Sequence, residues 1–150
     1  SVSLEQTYTE LGLRELQAFL DKYPESKYRE QVEGYIKDLD FKLETKAYNN
    51  AMLYYKISDY KAAIVALRNM LYDYPTTTYR EEIMFTMVKA SYILATKSVE
   101  SKKLERHKNT VQAYYAFVDK FPNSKKLKEA ERYFTNSHNY IEKRDGLQKD

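Results

Sequence analysis

Cysteine is missing altogether, which excludes disulfides, thiol nucleophiles and Cys-ligated zinc. Tryptophan is missing too. Glycine and proline are scarce, three of each in 150 residues. Sheet-rich domains need many turns, and turns consume Gly and Pro, so an all-α chain is expected. Two histidines leave little for a His-based metal site. No apolar run approaches the roughly 20 residues of a membrane span. Twenty-five Lys and Arg against 22 Asp and Glu leave a net charge of only +3, too weak a field to imply a nucleic-acid partner. There is no Gly-rich phosphate loop, nucleophile elbow or His-Glu-x-x-His, so no enzyme signature is present and no cofactor is expected.

What is present in excess is tyrosine, 16 residues, alongside six phenylalanines. Tyr carries a large ring with a polar tip and suits helix seams and partner grooves. The reading adopted is a helical array packed on Tyr.

The three prolines sit in one repeated context. The segments are Phe19-Leu20-Asp21-Lys22-Tyr23-Pro24-Glu25-Ser26, then Met70-Leu71-Tyr72-Asp73-Tyr74-Pro75-Thr76-Thr77, then Phe117-Val118-Asp119-Lys120-Phe121-Pro122-Asn123-Ser124. Each has an apolar pair, an aromatic, Pro, any residue and Ser/Thr. Proline ends one helix because it lacks an N–H and restricts its predecessor. The Ser/Thr can cap the next helix, and the aromatic can plug the corner. Ahead of each corner runs a helical stripe: Leu16, Phe19, Leu20; Ala63, Leu67, Met70, Leu71; Tyr114, Phe117, Val118.

The middle unit, Ala51, Tyr54, Tyr60, Ala63, Leu67 and Pro75, resembles a tetratricopeptide repeat, with Ala47 in place of the usual Trp. Ala51 and Ala63 are expected at the tightest helix crossing, with Tyr54 and Tyr60 filling the groove beside it. The next unit keeps Phe85, Val88, Tyr92 and Ala95 but has Lys89 where a small residue is usual, which predicts a splayed helix pair. From Tyr28 to Tyr54 apolar positions recur every three or four residues, predicting one continuous long helix. The expectation is an all-α, tetratricopeptide-like α-solenoid of about six antiparallel helices near 3–22, 26–57, 60–74, 78–97, 103–121 and 126–143. It forms a single helical-repeat domain over 1–150, with 144–150 frayed. Thr78 and Glu81 form a candidate capping box. The stripe Leu4, Tyr8, Leu11 and Leu13 reads as uncapped, so the chain is expected to be the C-terminal part of a longer protein.

Charged segment 97–110 reads as a long loop with some helical extension, and His107 within it as a solvated side chain. His138, on the last helix, reads the same way. Two segments, 97–108 and 120–132, each carry a local excess of three positive charges. Arg106, Lys125, Lys126 and Lys128 are the candidates for steering an acidic partner. Tyr115 and Tyr133, read as partly exposed rings beside them, are the candidate anchors. Only Asn49 fits the Lys/Asn clamp by which some tetratricopeptide proteins hold an acidic peptide tail, so that function is not expected.

The Tyr23-Pro24-Glu25-Ser26-Lys27-Tyr28 and Asp73-Tyr74-Pro75-Thr76-Thr77-Thr78 corners recur around a long helix. That helix carries Ile36-Lys37-Asp38-Leu39-Asp40-Phe41-Lys42-Leu43-Glu44 and Ala51-Met52-Leu53-Tyr54-Tyr55. Together with Leu4-Glu5-Gln6-Thr7-Tyr8, this resembles the BamD family of outer-membrane β-barrel assembly lipoproteins, in a Bacteroidetes-like form, over about residues 4–141. The resemblance implies a non-enzymatic scaffold at the periplasmic face of the bacterial outer membrane. Its implied partners are a BamA-like insertase, on whose periplasmic domains it docks, and unfolded outer-membrane proteins. Membrane attachment is implied only through an N-terminal lipid anchor outside this sequence, and what is present resembles the family's C-terminal repeats. Rival readings are another tetratricopeptide adaptor in cell-envelope assembly and an RNA-binding helical repeat using Tyr stacking.

Overall fold

A computed structural model describes residues 2–148, with side chains described for 4–147. The described residues form six helices and no strand: α1 (Val2–Lys22), α2 (Arg29–Lys56), α3 (Tyr60–Asp73), α4 (Arg80–Thr96), α5 (Glu100–Lys120) and α6 (Leu127–Gln148). The fold is all-α and tetratricopeptide-like. The long helix is continuous across Gly34, where a Cβ would meet nothing within 4 Å. The chain divides into two compact units, 1–49 and 50–150, with α2 running from the first into the second.

The first unit holds α1 and the first part of α2. Thr9, Leu13 and Val32 are buried in it, and Leu16, Phe19 and Leu39 are partly buried. Leu13 belongs to this small core, whereas Leu4, Tyr8 and Leu11 are about half exposed or more and form an open stripe on α1. Glu5 lies 3.1 Å from the Lys42 ammonium and 3.5 Å from that of Lys46. Hydrogen bonding to Lys42 and the charge of Lys46 hold its carboxyl below the usual range. The Lys46 ammonium is enclosed, and Glu5 is the acid it faces.

In the second unit α3 packs on α4, α4 on α5 and α5 on α6, and α6 also reaches α4. Ala51 and Ala63 are both buried, as their small size suggests. Lys89 does not splay α4 from α5. Its ammonium reaches Glu129 on α6, 4.0 Å away, while Ala90 and Ala95 are fully buried. The core is Phe85 and Val88 on α4, Phe117 on α5, and Ala130 and Tyr133 on α6. The rings of Phe85 and Phe117 lie 6.0 Å apart, tilted by 56°. Tyr133 alone among the described tyrosines is buried, so Tyr serves mainly as a half-exposed seam residue and not as the main core residue. Tyr54 is exposed, and it is Tyr55 that meets Tyr60 edge-on at 5.7 Å.

The three proline corners share one hydrogen-bond scheme. The residue before each proline donates its N–H to the helix behind: Tyr23 to Phe19, Tyr74 to Met70 and Phe121 to Phe117. The Ser/Thr hydroxyl two positions after proline accepts from the N–H two residues on: Ser26 from Tyr28, Thr77 from Tyr79 and Ser124 from Lys126, each at 3.1 Å. At the first two corners an arginine five positions after proline donates to the proline carbonyl, Arg29 to Pro24 and Arg80 to Pro75. The third has Leu127 at that position. All peptide bonds among the described residues are trans. α4 starts at Arg80, with Tyr79 as N-cap one residue beyond the candidate Thr78.

The α2–α3 link is closed differently. Ser58 takes a positive φ of 65°, Asp59 N–H reaches back to Tyr54 and Ser58 N–H to Tyr55, and Asp59 then caps α3 through Ala62 N–H. The 97–110 segment is almost entirely helix, since α5 begins at Glu100 after a link of three residues, 97–99. α6 continues to Gln148, so 144–148 are helical, and 149–150 lie outside the described residues.

Candidate functional site

The six residues singled out in the sequence do not form one patch. Arg106 and Tyr115 are both on α5, nine positions apart, and about 2.5 turns puts them on opposite sides of that helix. Arg106 is half-buried, and one of its guanidinium N–H groups donates to the Ser98 hydroxyl, which itself donates to Leu94 O. Tyr115 is 55% exposed and caps an aromatic edge: its ring lies 5.4 Å from that of Phe134 and 5.9 Å from that of Tyr114. Phe134 in turn stacks on Tyr114 at 4.5 Å and on His138 at 5.6 Å.

Lys125 and Lys126 line a cleft at the α5–α6 corner together with Glu81 and Glu82 of α4. Lys126 is paired with Glu82 and stands over the Phe85 ring, 4.9 Å from its centre. It is therefore a tie between α4 and the α5–α6 corner, and one of the four expected steering cations is paired with an acid of its own chain. Lys125 and Lys128 are exposed. Tyr133 is 7% exposed, its ring 5.0 Å from Tyr92 and its hydroxyl donating to Glu129. Burial and the Glu129 carboxylate push its phenol above the usual value, against the opposing pull of Arg132 and Lys89. It is a core group, and the expected partly exposed ring is not there.

His107 also departs from its expected place. It is 4% exposed, its Nδ1 lies 2.9 Å from Ser137 Oγ, and its ring stacks on Tyr140 at 4.4 Å with Tyr92 edge-on at 6.3 Å. Burial pushes its pKa below the ordinary value, and the charge of Lys103 adds to that. The misreading came from treating Arg106-His107-Lys108 as loop; on a helix the three point in different directions. His138 lies on the surface, as expected, 3.7 Å from Glu142.

A groove that the sequence reading missed lies between α3 and α5, floored by α4, with a volume of about 560 Å³. α3 contributes Lys61, Ile64, Val65 and Arg68, and α5 contributes Lys102, Glu105 and Arg106. The spacings 61, 64, 65, 68 and 102, 105, 106, 109 are helical faces, so the signal was legible as two stripes. What was not legible was that α4 brings the two stripes side by side.

No set of His, Cys, Asp or Glu among the described residues could hold a metal ion. No helix among them is long and apolar enough to cross a membrane. Exposed basic side chains, a half-exposed aromatic edge and an open groove suit protein contacts. A comparison with curated proteins returns no match. The profile of the outer membrane lipoprotein family YfiO, the BamD-like lipoproteins whose resemblance the corner motifs carry, matches residues 2–107, more than two-thirds of the 150, and the chain belongs to that family.

Proposed function

We propose that the chain is a non-enzymatic scaffold of the outer-membrane β-barrel assembly machinery, acting on the periplasmic side and docking on the periplasmic domains of a BamA-like insertase. The observation that carries this reading is the family match over residues 2–107. The helical hairpins built on repeated proline corners support it, because stacked repeats present extended surfaces to protein partners. Unfolded outer-membrane proteins are the second partner class. Of the residues proposed for docking, Arg106 lies within the matched span, and Tyr115, Lys125, Lys126, Lys128 and Tyr133 lie beyond it. Lys125 and Lys128 steer association, and Tyr115 supplies the anchor. Lys126 and Tyr133 act indirectly, by holding α6 against α4.

Rim charges act on the association rate and its salt dependence more than on affinity. The test is stopped-flow association of the chain with the insertase's periplasmic fragment at two salt concentrations. Lys125→Glu with Lys128→Glu is expected to slow association several-fold at low salt and to flatten its salt dependence. Tyr115→Ala is expected to speed dissociation instead. An on-rate and salt slope equal to those of the unaltered protein would refute the steering role. The absence of any binding by the unaltered protein would refute the docking itself.

A further inference from the structure

The groove between α3 and α5 combines two features that rarely coincide on a solvated face. Its rim carries four cations, Lys61 and Arg68 on one side and Lys102 and Arg106 on the other, against the single carboxylate of Glu105. Within it lie Ile64, Val65, Met87 and Leu94, and Val65 is 49% exposed. A groove needed only for packing would close over Val65, and a groove needed only for solubility would mix its charges.

Arg106 is already oriented. Its bond to Ser98, itself anchored on Leu94 O, fixes the guanidinium at one end of the groove and leaves further N–H donors for a carboxylate. Fixing a long side chain before binding reduces the entropy lost on binding. Between Lys102 and Ala113 the α5 wall runs for about 16 Å, three turns of helix.

We infer that this groove is a docking site for an acidic, amphipathic segment of a partner protein, apolar side chains on Val65 and Leu94 and carboxylates on Lys61, Arg68, Lys102 and Arg106. Charge complementarity selects the acidic partner, and the apolar floor selects a peptide over a nucleic-acid backbone, which would leave that floor uncovered. The site is separate from the Lys125, Lys128 and Tyr115 surface and does not depend on which surface meets the insertase.

The test uses the full chain and a fluorescein-labelled peptide of about 16 residues, with Glu on one helical face and Leu on the other. Anisotropy titrations are run at low and moderate salt. The expected result is saturable binding that weakens with salt and drops about tenfold or more in Lys61→Glu with Arg68→Glu. A second variant, Val65→Ser, removes apolar surface from the groove without changing its charge and is expected to weaken binding similarly at both salts. Lys125→Glu with Lys128→Glu, outside the groove, is expected to bind the peptide nearly as well as the unaltered protein. All variants carry changes at exposed positions, and their melting curves serve as the folding check. Equal binding of a peptide with Lys in place of Glu would overturn the inference, as would unchanged affinity in the groove variants. Competition by a single-stranded RNA oligomer as strong as by unlabelled peptide would overturn it in favour of a phosphate-binding groove. Insertase binding that persists in the groove variants while peptide binding is lost supports two separate sites.

Discussion

Phe117→Ala is expected to destabilise the second unit by about 3–5 kcal/mol. Phe117 has no exposed surface and stands at the centre of the core, between Phe85 of α4 and Phe121 at the corner, each ring 6.0 Å away. It is also the acceptor, through its carbonyl, for the Phe121 N–H that ends α5. Truncation removes a whole ring from a site whose walls belong to three different helices. Those walls cannot collapse onto the cavity without moving α4 and α6. Domains of ordinary size have only about 5–15 kcal/mol of total stability, so the loss takes a large share. Urea unfolding followed by circular dichroism measures it as a lowered midpoint with an unchanged slope. A loss below about 1 kcal/mol would show that Phe117 is not the centre of that core.

His107→Ala is expected to cost about 2–4 kcal/mol, from the lost ring between Tyr140 and Tyr92 and from the Ser137 hydroxyl left without its partner. The same burial makes stability depend on pH. In the unfolded chain the imidazole takes up its proton near pH 6.5, while in the folded chain burial and Lys103 hold its pKa lower. Between those two values the unfolded state binds more protons. Stability is therefore fully present above about pH 6.5 and falls as pH drops below it, with a slope of at most about 1.4 kcal/mol per pH unit. Denaturation midpoints from pH 7.5 down to 5.5 are expected to fall for the unaltered protein and to stay nearly level for His107→Ala. Parallel profiles for the two proteins would contradict the buried, neutral assignment of His107.

The helix order, the long α2 and the corner positions were readable because they follow from local rules. Proline, the aromatic before it and the hydroxyl after it act within six residues of chain. The family was readable for the same reason, since its matched span contains two of the three corners. The side-chain assignments that failed all depend on contacts across helices. His107 looks solvated beside Arg106 and Lys108, yet Ser137 and Tyr140, thirty residues and more away, enclose it. Lys126 looks like part of a basic run, yet Glu82 of α4 pairs with it. Tyr133 and Tyr115 are indistinguishable as letters. One faces Tyr92 across the core and the other stands on the open side of Phe134. The α3–α5 groove was hidden for the same reason, since it depends on which faces α3 and α5 turn toward each other across α4.

The central claim, a scaffold working with the barrel insertase, is tested most directly by in-cell cross-linking. A photo-reactive residue is placed at Tyr115 in the full-length protein, and cross-linked species are recovered from the cell envelope and identified by mass spectrometry. The account predicts that the insertase's periplasmic domains are the principal cross-linked partner and that the yield drops when Lys125 and Lys128 are changed to Glu. Recovery of a different envelope assembly factor, with no insertase cross-link at Tyr115 or at any other exposed position of α5 and α6, would contradict it.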